Sequence, residues 1–190
     1  MLAAATAVFL KRGFEGATLD EVISRSGGSR TTLYEQFGGK EGLFAAIIDD
    51  LCRTLVAPLA AGLDGAQQPK VVLTAFARRF MDRLLEPESL GLYRLVISEG
   101  HRFPALGRQV FAAGPTAGAR TLAAYLRAET ERGRLRVRNP EVAARNFLEM
   151  IKGDLHTRAL FGVGAAPSAA EINACVDEAV HVFLEGSAAR

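Results

Sequence analysis

The sequence predicts an all-α fold of about nine helices, and three observations carry that prediction. Apolar residues recur at spacings of three and four along nearly the whole chain, and alternating runs of strand type are absent. The interruptions fall at Gly and Pro, the residues that end helices. Hydrophobic residues make up 49% of the 190 positions and charged residues 23%, enough to fill a sizeable core at this length.

Residues 2–12 form a first helix with Ala5, Val8 and Phe9 inward, stopped by Gly13. Residues 18–25 form a second, short one. Thr18 and Glu21 make a capping box, and Leu19, Val22 and Ile23 are the buried stripe. After a tight turn at Ser26-Gly27-Gly28, Ser29 caps a third short helix running to Phe37, with Leu33 and Phe37 on one face. Gly38-Gly39 breaks the chain again. Lys40 opens a long helix carrying Leu43, Phe44, Ile47, Ile48, Leu51 and Leu55, which Pro58 should end or kink. Helices over 69–85, 88–100, a short piece after Pro104, 116–132, 140–160 and 168–184 follow, the last with Ser168 and Glu171 as its capping box. The domain boundary is expected inside the fourth helix, giving domains 1–48 and 49–190.

Several function classes are excluded or disfavoured. No apolar stretch approaches the ~20 residues of a membrane span, and the start of the chain lacks a secretory pattern. Cys52 and Cys175 are expected as buried free thiols in a reducing cytosol, so the chain is expected to be cytoplasmic. No Cys, His and carboxylate cluster has metal-ligand spacing, and no cofactor is expected. The Gly-rich breaks follow no strand and contain no phosphate-loop motif. Glu99 and His101 lie two apart on one helix and point away from each other, and no nucleophile is identifiable, so an enzyme is not expected. Net charge is only +2, and residues 1–48 hold five basic against five acidic side chains. If this segment binds DNA, placement of charge must matter more than its sum.

Three short helices broken at Gly13, Gly27-Gly28 and Gly38-Gly39 have the dimensions of a helix-turn-helix unit. Its third helix needs an apolar inner face and a polar outer face, small near the N-terminus so that the helix can approach base edges. Arg30, Thr31, Thr32, Glu35 and Gln36 supply that face. Over residues 2–48 the run Gly13-Phe14-Glu15-Gly16-Ala17-Thr18-Leu19-Asp20-Glu21-Val22-Ile23, then Gly27, then Thr32-Leu33-Tyr34-Glu35-Gln36-Phe37, then Lys40-Glu41-Gly42-Leu43-Phe44 resembles the TetR (tetracycline repressor) family. Phe103-Pro104-Ala105-Leu106 and the stretch from Ser168 to Phe183-Leu184 resemble the AefR-like C-terminal domains of that family.

The resemblance implies a transcriptional regulator, a repressor released by a small ligand, acting as a homodimer on operator double-stranded DNA. It implies phosphate contacts from Thr18, Tyr34 and Lys40, and base reading from the start of the third helix at Arg30, Thr31 and Thr32, with Ser29 beside them as a further DNA-binding candidate. The chain departs from the family at the turn, where Ser26-Gly27-Gly28-Ser29 stands for the usual A-G-V-S, and at Gly38-Gly39. Both changes suggest a loose head in the absence of DNA.

In the larger domain, Phe76, Phe80, Tyr93, Ile97, His101, Phe103, Phe111, Tyr125, Phe147 and Met150 are candidate lining for a hydrophobic or aromatic effector, although aromatics at helical spacing also serve as plain core. Leu148, Ile151, Leu155, Val176, Val180 and Phe183 are the expected dimer interface. The wide apolar face of the 140–160 helix could meet the core on one side and a partner on the other. Two rivals stand beside this reading: a helical ligand-binding or enzymatic protein whose first helices are only structural, and a constitutive DNA-binding regulator with no ligand pocket.

Overall fold

Side-chain caps open several helices of this chain in the computed structural model, which describes residues 1–63 and 65–187. The helices are α1 (Leu2–Gly16), α2 (Leu19–Ser26), α3 (Arg30–Phe37), α4 (Lys40–Val56), α5 (Pro69–Leu84), α6 (Pro87–Glu99), α7 (Pro104–Phe111), α8 (Ala117–Glu131), α9 (Pro140–Lys152), α10 (Leu155–Phe161) and α11 (Ala169–Ser187). No strand occurs among the described residues. Thr18 Oγ1 accepts the Glu21 amide and opens α2; Ser29 Oγ accepts the Thr32 amide and opens α3. Ser168 and Glu171 form the full reciprocal box before α11. The second arm of the α2 box is diverted: the Glu21 carboxylate pairs with Arg25 at 3.0 Å and Arg12 at 3.5 Å.

The chain divides into two compact units, Met1–Thr54 with Pro87–Ala113, and Leu55–Glu86 with Gly114 onward. This grouping differs from a cut at residue 48, because α6 and α7 share a core with α1–α4. In the first unit Ala5, Val8, Phe9, Phe14, Val22, Leu33, Leu43, Phe44 and Ile47 are buried together with Leu92, Leu95 and Leu106. The backbone bends at Gly13 (φ 71°, ψ 176°), but helical structure resumes to Gly16. That bend turns Phe14 inward, with its ring 5.8 Å from Phe9, 5.2 Å from Phe44 and 4.8 Å from Phe103.

The second unit is built on α5, α8, α9 and α11, with α9 packed against the other three. Its core holds Leu73, Phe76, Met81, Leu122, Leu126, Phe147 and Ile151. One expectation fails here. The single helix over 140–160 is broken at Gly153 (φ 50°, ψ −138°) into α9 and α10. A side chain there would be strained, and its Cβ would stand 2.9 Å from Cys175 Sγ. Separately from that break, the six residues expected at a dimer interface, Leu148, Ile151, Leu155, Val176, Val180 and Phe183, are buried within the chain itself. The wide apolar face of α9 is consumed by its own neighbours, so these side chains have little surface left for a partner. Cys52 and Cys175 are free and half-buried rather than fully buried. Burial pushes the Cys52 thiol up to about 11.

Candidate nucleic-acid interface

The first unit presents one short helix whose outer side is polar from its first residue. Leu33 anchors α3 with no exposed surface, and Val22 does the same for α2. With its inner side spent on the core, α3 leaves Arg30, Thr31, Tyr34, Glu35 and Gln36 exposed. Tyr34 keeps 51% of its surface although it is a large aromatic.

The polar atoms near this N-terminus are not equally free. The Ser29 hydroxyl caps α3 and lies 2.8 Å from the Thr32 hydroxyl. Both are therefore engaged in holding the helix start, whereas Thr31 projects without a side-chain bond of that kind. Arg30 NH2 donates to Asp20 Oδ1 at 2.5 Å. That hydrogen bond, and then the charge of Asp20, raise the Arg30 pKa above its ordinary value. Thr18, exposed at the start of α2, has its hydroxyl oxygen accepting the Glu21 amide.

Lys40 is placed unexpectedly. Its Nζ donates to the Glu15 carbonyl at 3.0 Å and stands 4.9 Å above the Phe14 ring. A cation at the carbonyl end of α1 is favourable, so this lysine ties the start of α4 to the end of α1. The Glu15 carboxylate pairs with Arg102, just before α7.

Residues 1–47 match the family profile described as bacterial regulatory proteins, tetR family, and residues 71–186 match the one described as AefR-like transcriptional repressor, C-terminal domain. The chain belongs to the TetR family. Family and fold place this TetR-family protein among transcriptional regulators rather than enzymes.

A structure described as a putative TetR-family transcriptional regulator from Mesorhizobium loti is 28% identical, with a TM-score of 0.93 over 98% of this chain and 94% of that one. The flavonoid-responsive regulator FrrA is also 28% identical, with a TM-score of 0.83 over 100% of this chain and 95% of that one. The HTH-type transcriptional activator FasR of Mycolicibacterium smegmatis is 32% identical over 101 residues; that match spans 53% of this chain and 45% of FasR, about half the length of the relative.

The other candidate residues of this regulator fall in both units. Phe76, Phe80, Tyr125, Phe147 and Met150 belong to the second unit, where Phe76 and Phe147 lie 6.5 Å apart and Phe147 packs edge-on against Phe183 at 4.9 Å. Tyr93, Ile97, His101, Phe103 and Phe111 belong to the first. Of these, Ile97, His101 and Phe111 are exposed and Phe103 packs on Phe14. The ten do not form one cluster within either unit. Among the described residues no group of His, Cys, Asp and Glu could hold a metal, and no helix is long and apolar enough to cross a membrane. Sequence reasoning missed Asp20 as a partner of Arg30; ten residues separate them, and only the crossing of α2 and α3 brings them together.

Proposed function

We propose that this chain is a repressor that reads operator DNA with the start of α3, acts as a homodimer, and leaves DNA when a small apolar or aromatic effector binds. The observation that carries this reading is the exposed, capped N-terminus of α3, with Arg30, Thr31 and Tyr34 outward on a helix that Leu33 anchors to the core. A helix N-terminus ringed by hydroxyls and a guanidinium suits both phosphate and base edges. The test is a gel shift on the DNA upstream of its own gene, with and without competitor. Tyr34→Phe removes one phosphate contact and is expected to weaken binding to all sequences alike, at about 1 kcal/mol, roughly fivefold. A changed base preference at intact affinity would refute that role.

For the dimer, the buried positions of α9 and α11 give way to apolar side chains left outside: Phe161, Val163 and Val182, exposed by 78%, 57% and 49%. Phe161→Asp should yield a folded monomer by light scattering, whereas Val180→Asp should unfold the protomer, since it buries a charge. A dimer that survives Phe161→Asp intact would exclude Phe161 from the interface. Such a dimer would space two α3 helices about 34–36 Å apart on a pseudo-palindrome.

For the effector, the similarity to a flavonoid-responsive regulator and the apolar aromatic content of the second unit both support an aromatic ligand. Phe76 and Phe147 are fully buried, which favours a second reading without any effector. Thermal-shift screening of apolar aromatics beside sugar phosphates separates the two, because a ligand of the folded state raises Tm by mass action. Repression itself is tested with a promoter fusion: deleting the gene should raise reporter output.

A further inference from the structure

We infer that Asp20 is a positioning residue for Arg30: it holds the guanidinium at the start of α3 and thereby sets the base pair that this side chain prefers. The inference rests on the DNA-reading role of α3 proposed above.

The local electrostatics show why Arg30 needs a partner. It is the first residue of α3, and a helix N-terminus carries partial positive charge that disfavours a cation. Asp20 sits in the first turn of α2, where the same effect favours a carboxylate. The acids of α2 divide their work: Glu21 takes Arg12 and Arg25, and Asp20 takes Arg30. The pair therefore bridges the two helices of the helix-turn-helix at one point, between side chains that are 63% and 72% exposed. An ion pair so exposed contributes little to folding in water, so stability is a weak reason for its geometry.

Placement is a better one. Arginine reads guanine with two parallel donors, a geometry that tolerates little rotation. A guanidinium has five N–H donors; the carboxylate engages one terminal nitrogen and leaves further donors for a base edge. A free arginine on a long side chain would sample phosphates as readily as bases. The Asp20 charge opposes both escapes, because it tethers the guanidinium and repels the phosphate backbone. Once DNA excludes water, the attraction between the pair strengthens.

The experiment is selection of binding sites from random DNA by the full chain, together with affinity for a mixed-sequence duplex. Asp20→Asn is expected to lower the ratio of specific to non-specific affinity by roughly 5- to 100-fold at the base pair read by Arg30. Non-specific affinity should rise and Tm stay unchanged. Asp20→Glu, which keeps the charge, should restore part of the preference. Arg30→Ala should erase preference at the same base pair. If Arg30→Ala alters the preference and Asp20→Asn does not, the positioning role is overturned while the reading of α3 stands. If Asp20→Asn raises affinity for every sequence with preferences intact, Asp20 only competes with phosphate, which also overturns it. If Arg30→Ala leaves the selected sites unchanged, the proposed reading of α3 fails and this inference with it.

Discussion

Phe14→Ala is expected to cost about 3–5 kcal/mol of stability, a large part of the 5–15 kcal/mol that holds a typical protein folded. The ring is almost fully buried and packs within 6 Å of three others, Phe9, Phe44 and Phe103. Removing it opens a cavity bordered by α1, α4 and the segment before α7, and it takes away three aromatic contacts at once. The rest of the junction offers little compensation. Arg102–Glu15 is a solvent-exposed pair, of a kind worth at most about 1 kcal/mol, and Lys40 would lose the ring beneath its ammonium. The same residue lies just after the bend at Gly13 and four residues before the Thr18 cap. Its loss should therefore misplace α2 and α3 and lower DNA affinity. Urea denaturation measures the first effect and a gel shift the second. Phe14→Leu, which keeps most of the volume, should cost much less. A loss under 1 kcal/mol for the alanine variant would mean that the ring cluster does not hold this unit together.

What the sequence made legible was local. The caps at Thr18, Ser29 and Ser168 were readable because a hydroxyl and an amide three residues apart need no knowledge of the rest of the chain. The inward positions Ala5, Val8, Phe9, Leu33, Phe44 and Ile47 followed from helical spacing for the same reason. Spacing tells that a face is buried, however, and not what covers it. Leu148, Ile151, Val176 and Val180 read as an apolar face, and the helices that cover them within the chain come from distant parts of it. Gly153 hid inside a helical pattern, since the residues on both sides of it continue the apolar period. Asp20 drew no role from the sequence, and Lys40 drew only a phosphate contact. Their partners, Arg30 and the Glu15 carbonyl, are 10 and 25 residues away and are set by how helices cross.

Stability is expected to fall between pH 6.5 and pH 4 through one side chain, His156. It is buried near the start of α10, and that burial, with the nearby charge of Lys152, lowers its pKa to about 4 from an ordinary 6.5; Glu149 acts weakly in the other direction. Above pH 6.5 the imidazole is neutral in both the folded and unfolded chains, so it adds no dependence on pH. As pH falls below 6.5 the unfolded chain binds a proton that the folded one refuses, and the balance moves toward unfolding. Below about pH 4 both forms are charged and the loss levels off. The lowered pKa makes this loss at most about 3 kcal/mol, reduced by whatever water still reaches the ring. Carboxylates such as Glu171, whose pKa is lowered mainly by its bonds to Ser168, also lose their contribution in acid, so the whole-protein curve alone does not isolate the histidine. His156→Leu does, because leucine cannot titrate and leaves the acids in place. Urea melts from pH 7.5 to 4 should show the parent losing stability faster than the variant, with the gap opening below pH 6.5. Parallel curves for the two proteins would mean that His156 takes up its proton in the folded chain as readily as in water.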